Sequence, residues 1–228
     1  MNRDMINHRG PEFRDMLQRS TERLKQVFQT EGDLFILTGS GTGGMEAAIV
    51  NALSPRDVVL SVSIGVFGDR FAQIAEAYGA SVVRLTSTWG TAADPEAVWN
   101  ALKENPAIKT VLVTHNETST GVANDLEAVA AVVRREFDAL LLVDGISSVA
   151  SLPVSTDLWG CDVVASASQK GWMLPPGLAF ISFSDRAWEA HADARMPRYY
   201  FDASMYKRYF EIGQPPYTPA VSLMFALE

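Results

Sequence analysis

Short apolar runs recur along the chain, at Leu34 to Leu37, Val58 to Val62, Val82 to Leu85, Thr110 to Val113, Leu140 to Val143, Val163 to Ala165 and Leu178 to Ser182. They are rich in β-branched residues and bounded by Gly, Asp, Ser or Pro, the pattern of strands buried on both faces. Between most of them lie amphipathic stretches, Glu12 to Gln29, Gly44 to Leu53, Phe67 to Tyr78, Asp94 to Glu104 and Asp125 to Phe137, in which apolar residues recur every three or four positions. This alternation predicts an α/β fold, a mainly parallel sheet of about seven strands flanked by helices on both faces. One strand breaks the pattern. Val149 to Gly160 carries no convincing helix, and Leu178 to Ser182 follows its predecessor through Gly171 to Gly177 in place of a full crossover, so an antiparallel member is expected there. After Asp185 the chain reads as helical segments broken by Pro197 and by Pro215-Pro216. No internal repeat, low-complexity tract or linker supports a split into two domains.

Composition narrows the partners more than the fold. The 228 residues are 47% hydrophobic and 20% charged, enough for the core of a large globular domain. A net charge of -8 and a pI near 4.9 argue against nucleic acid, which demands clustered Lys and Arg. Cys161 is the sole cysteine, which excludes an intramolecular disulfide and fits a reducing compartment. No stretch approaches the roughly 18 apolar residues of a membrane span, and Met1 to Arg9 is too polar for a signal peptide. The cytoplasm is the expected location, without membrane or nucleic-acid partners.

Candidate chemistry gathers at strand ends. Thr38-Gly39-Ser40-Gly41-Thr42-Gly43-Gly44 follows the first strand and opens a helix, where backbone N–H groups, hydroxyls and the helix N-terminus favour a phosphate. The spacing Gly39-x-Gly41-x-x-Gly44 also matches a dinucleotide fingerprint, but that reading needs an acidic residue at the end of the second strand. Val58 to Ser63 ends without one, and Asp57 is at the wrong end. A ligand-free turn is the plain alternative. Phe67, between strand and helix and flanked by Gly65 and Gly68, either stacks on a flat ring or fills the core. Thr114 to Gly121 is a polar run that offers hydroxyl and amide donors, within which His115 reads as a hydrogen-bonded loop residue; the three histidines and Cys161 share no metal-ligand spacing. Asp144 ends one apolar run and Lys170 follows another. Alone, these are a turn residue and a solvated lysine. Together they are what pyridoxal phosphate requires, a carboxylate for the pyridinium nitrogen and an amine for the Schiff base.

The motifs Thr38-Gly-Ser-Gly-Thr-Gly-Gly-Met-Glu-Ala-Ala, Thr114-His-Asn-Glu-Thr-Ser-Thr-Gly-Val, Leu140-Leu-Leu-Val-Asp-Gly, Ser166-Ala-Ser-Gln-Lys-Gly and Pro175-Pro-Gly-Leu occur in that order. The chain thereby resembles the class V pyridoxal-phosphate-dependent aminotransferases of the alanine:glyoxylate and serine:pyruvate type, from about His8 to Pro219. The resemblance implies the fold type I large domain, with residues 1–228 forming one cofactor-binding domain that opens on a helix at about 11–29. It also implies truncation at both ends, without the leading Gly-Pro segment and without the small carboxyl-terminal domain whose arginine grips the substrate carboxylate. Lys170 is implied as the Schiff-base lysine, Asp144 as the partner of the ring nitrogen, and Thr118 as a neighbour of the ring hydroxyl. Ser40, Gly41, Thr42 and Gln169 are implied around the phosphate, with Phe67 in place of the family's stacking Trp or Tyr. In these homodimers a threonine matching Thr218 reaches the partner subunit's phosphate, so shared active sites are expected; Pro215 stands where some members carry a phosphate-binding tyrosine.

The implied activity moves an amino group from a small amino acid of the alanine or serine type to an oxoacid such as glyoxylate or pyruvate. Lys170, as a neutral amine, would shuttle the α-proton, and Asp144 would keep the ring nitrogen protonated. Two rival readings are a cysteine desulfurase or lyase on the same fold, for which Cys161 on a buried strand is poorly placed, and a truncated cofactor-binding module without catalysis.

Overall fold

The structure is a computed structural model that describes residues 3–228. Its centre is a seven-stranded sheet. In chain order the sheet strands are β1 (Asp33–Gly39), β2 (Val58–Ser63), β3 (Ser81–Thr86), β4 (Ile108–Thr114), β7 (Leu140–Asp144), β8 (Val163–Ala167) and β9 (Gly177–Phe183). They lie in the order β1-β9-β8-β7-β4-β2-β3. β2, β3, β4, β7 and β8 pair in parallel, while β9 runs antiparallel to both β1 and β8. Because β9 alone is reversed, the carboxyl ends of β1, β2, β4, β7 and β8 share one edge of the sheet, where open α/β sheets bind ligands. The antiparallel member is therefore where the missing crossover placed it. A two-stranded ribbon, β5 (Asn116–Glu117) with β6 (Val122–Ala123), stands in the polar run that the sequence presents as a plain loop.

Helices cover both faces, as the apolar periodicity requires. One face carries α1 (Pro11–Phe28), α4 (Pro95–Glu104), α5 (Leu126–Glu136) and α9 (Val221–Leu227), whose Phe13, Phe28, Val98, Leu102, Val129 and Met224 pack in one core. The other carries α2 (Gly41–Ala52), α3 (Val66–Ala77), α7 (Asp185–Asp193) and α8 (Ala203–Glu211) over a second core containing Met45, Ile49, Phe71 and Tyr206. Side chains alternate between these cores, with Val111 and Val113 of β4 in the first and Leu112 in the second. The short α6 (Thr156–Trp159) lies in the stretch where no helix is legible in the sequence. Among the described residues no helix is long and apolar enough to cross a membrane.

α2 begins at Gly41, three residues before the amphipathic pattern suggests, so Ser40 is its N-cap residue. The glycines here serve packing rather than an open cradle. A Cβ on Gly41 would meet Ile146 Cδ1 at 2.7 Å, one on Gly43 the Phe201 ring at 3.0 Å, and one on Gly44 the Cβ atoms of Ala179 and Ala165 at 3.4 and 3.5 Å. Gly41 and Gly43 thus let α2 sit close to its neighbours, while Gly44 leaves room for a methyl group at ordinary contact distance. The helix start is thereby pressed against the carboxyl edge, with its first N–H groups lacking intrahelical acceptors.

Candidate active site

A cleft at the carboxyl edge brings together Ser40, Gly41 and Thr42 from the start of α2, Phe67 from α3, and Thr118 from the turn between β5 and β6. Asp144 at the end of β7 and the pair Gln169 and Lys170 beyond β8 complete the set of expected residues that converge. Thr218 does not. It is exposed, beside Tyr217 and outside the lining of this cleft.

Asp144 is buried, its Oδ1 accepting the Ile146 N–H at 3.0 Å and its Oδ2 the Thr114 hydroxyl at 3.2 Å. Burial pushes its carboxyl up to about 6, against the pull of those two donors. The free carboxylate is thus under-compensated, and a cation bound against it would restore its charge. Lys170 follows β8 in a tight loop anchored by Ser168, whose Oγ donates to Pro175 O at 2.8 Å and accepts the Leu178 N–H at 3.1 Å. The Trp172 indole donates to Ser166 Oγ at 2.9 Å and stacks on Phe28. Among the described residues no hydrogen bond or ion pair engages Lys170 Nζ. Its amine is held at the cleft with its donors unspent.

At the other end, Ser40 makes no capping hydrogen bond to α2, and among the described residues Thr42 Oγ1 receives only a 3.5 Å contact from Arg70 Nη1. Two hydroxyls, a helix N-terminus and a guanidinium form an anion-accepting set. Gln169 Oε1 is buried without a partner among the described residues. A phosphate at this end and a protonated ring nitrogen at Asp144 would answer both electrostatic demands, so the residues fit pyridoxal phosphate.

Several lining residues escaped the sequence reading. Arg70 lies over the Phe67 ring, 4.9 Å from its centroid; its position three residues beyond Phe67 on one helix face was the available signal. Asn116 and Ser147 also line the cleft, the Asn116 amide donating to Ser147 Oγ at 2.9 Å and Ser147 donating back to Asn116 O at 2.9 Å. Their meeting depends on β4 and β7 being neighbours, which no local pattern reveals. His115 lies between β4 and β5 and is hydrogen-bonded through its backbone, its N–H donating to Asp144 O and its carbonyl accepting the Asn124 N–H, while among the described residues its side-chain Nδ1 has no partner. Burial drives the imidazole down to about 4, and it packs edge-on against Trp159. Cys161 precedes β8, at the edge opposite the cleft, and burial pushes its thiol up to about 12. It is no nucleophile for this site.

Residues 1–223 match the aminotransferase class-V family model, and the chain belongs to that family. It is 45% identical over 97% of its length to the soluble hydrogenase 42 kDa subunit of Anabaena cylindrica, covering 58% of that protein. It is 40% identical over 97% of its length to an L-aspartate–glyoxylate aminotransferase of Paracoccus denitrificans, covering 57% of it. Among solved structures, alanine–glyoxylate aminotransferase of Nostoc sp. superposes with a TM-score of 0.94 at 34% identity, over 99% of this chain and 60% of that one. The chain thus spans somewhat more than half the length of these relatives.

Proposed function

We propose that residues 1–228 are the cofactor-binding large domain of a pyridoxal-phosphate-dependent aminotransferase that passes an amino group from a small amino acid to an oxoacid such as glyoxylate or pyruvate. The observation that carries this reading is the convergence of Lys170, Asp144 and the α2 N-terminus on one cleft. The family, and relatives whose names pair an amino acid with glyoxylate, support it.

In this reading the first-turn N–H groups of α2, with Ser40, Thr42 and Gln169, hold the phosphate. Phe67 would cover the ring, and the Thr118 hydroxyl would reach its oxygen. Asp144, as a carboxylate, binds the protonated ring nitrogen. Lys170 would take the proton from the amino acid's α-carbon and hold it at Nζ for return. When bound, pyridoxal phosphate supplies the carbonyl that condenses with amines and the ring that accepts the electrons left by that proton. The site is shared in a homodimer, with Thr218 serving the partner subunit. The lone, buried Cys161 supports a reducing compartment, and the cytoplasm is the proposed location.

The direct test is a half-reaction. The cofactor-loaded protein, mixed with L-alanine, L-serine or L-aspartate, should lose its visible absorption as the cofactor takes up the amino group and regain it on adding glyoxylate. Retained colour with no change for any donor would mark a cofactor-binding module instead.

A further inference from the structure

Glu117 is fully buried in β5, between the cleft and the start of α3. Among the described residues no cation pairs with it. Its Oε2 accepts the N–H groups of Phe67 at 2.9 Å and Gly68 at 3.0 Å, both from the first turn of α3. Its Oε1 accepts the Ser119 N–H at 3.1 Å and the Ser119 hydroxyl at 2.6 Å, while Ser119 Oγ accepts the Val66 N–H at 3.0 Å. The N-terminal end of a helix dipole favours this charge, and charge-assisted bonds are the strong ones. No slack remains around it. A Cβ on Gly65 would meet Glu117 Cγ at 2.6 Å and Cδ at 2.8 Å.

Helix starts are ordinarily capped by the residue that precedes them. Here Gly65 holds that place with no side chain to offer, and the cap comes from 50 positions away. A remote cap does what a local one cannot, fixing where the helix start lies relative to another part of the fold. The part in question is the hairpin, which is tied to the β7 end through Asn116 and Ser147 and to the segment before α4 through Asn124, whose Oδ1 accepts the Ala93 N–H at 2.8 Å. Glu117 therefore locks the Phe67 backbone to the frame that carries Asp144. We propose that Glu117 is the positioning residue for Phe67, holding its ring at the height where it covers the cofactor. This rests on the proposed stacking role of Phe67.

The test is a double-mutant cycle read by the dissociation constant of pyridoxal 5'-phosphate and by the circular dichroism induced in its absorption band. Glu117→Gln keeps the shape but must turn an NH2 group toward donors at one end. It should weaken cofactor binding on the order of tenfold and diminish the induced signal. In a Phe67→Ala background the same change should alter affinity less than about twofold, because the group it acts through is gone. Glu117→Gln that lowers thermal stability but leaves affinity and signal intact, or whose full effect persists without the Phe67 ring, overturns the proposal. Phe67→Ala binding like the parent sinks the stacking reading, and the proposal with it. Should Glu117→Gln fail to fold, Ser119→Ala, which removes one donor to Glu117 and the acceptor of the Val66 N–H, runs the same cycle with an effect of several-fold.

Discussion

Asp144 ends β7 between the Thr114 hydroxyl and the Ile146 N–H, and burial raises its carboxyl from 3.8 to about 6. The folded value lies above the unfolded one, so folding favours the neutral form. Stability from this group is full below about pH 4 and is lost as pH rises to about 6, a penalty on the order of 3 kcal/mol that then persists. Asparagine keeps an acceptor for Ile146 and cannot ionise. Cofactor-free Asp144→Asn should therefore melt several degrees above the parent near pH 7, with the gap closing toward pH 4, while binding pyridoxal phosphate more weakly. Melting curves of both proteins across that range check it; no gap at pH 7, or one that widens in acid, contradicts the assignment. The sequence made Asp144 and Lys170 legible, because each follows an apolar run whose end must face the same edge. Ser147 was not, since its place in the cleft depends on β4 and β7 being neighbours; Arg70 and Asn116 carried only weak signals, a position three residues beyond Phe67 and a place in the polar run, that did not single them out.

At the scale of elements, the loop after β8 depends on Gly171. A Cβ there would meet the backbone of Ala150 and Val149 at 2.9 Å, as well as Ser151 Oγ, and backbone cannot step aside as a flexible side chain would. Gly171→Ala should cost roughly 1–3 kcal/mol of stability, and it should also weaken cofactor binding, because the displaced residue adjoins Lys170. Thermal melts and cofactor titration of the variant measure both, and unchanged values for both would show that the loop yields freely. The sheet strands and the longer helices were legible because β-branched runs and three-to-four spacing dominate them. The ribbon of β5 and β6 was not, since it has two residues on each side, polar ones among them, held by Glu117, Ser119 and Asn124 rather than by an apolar pattern. The start of α2 was also misplaced, because glycines there look like a flexible loop while in fact Gly41 and Gly43 let the helix approach Ile146 and Phe201.

For the whole molecule, the proposed dimer has a physical footing beside the cleft. Tyr200 and Tyr217 stack with centroids 4.9 Å apart, Tyr199 is 80% exposed, and the Tyr200 hydroxyl donates to Thr38 O at the end of β1. Exposed aromatic surface next to a ligand cleft favours association, and Thr218 adjoins it. Sedimentation should find a dimer that pyridoxal phosphate tightens; a monomer that binds the cofactor with undiminished affinity would remove Thr218 from the partner's site. More basic than the assembly is the proposed delivery of one lysine, Lys170, to a pyridoxal-phosphate site at the carboxyl edge of this sheet. Borohydride reduction of the cofactor-loaded chain, followed by peptide mapping, tests it most directly. Covalent cofactor is expected on the peptide containing Lys170 and on no other, and is expected to be lost in Lys170→Ala. Labelling at another lysine, or none at saturating cofactor, would contradict it.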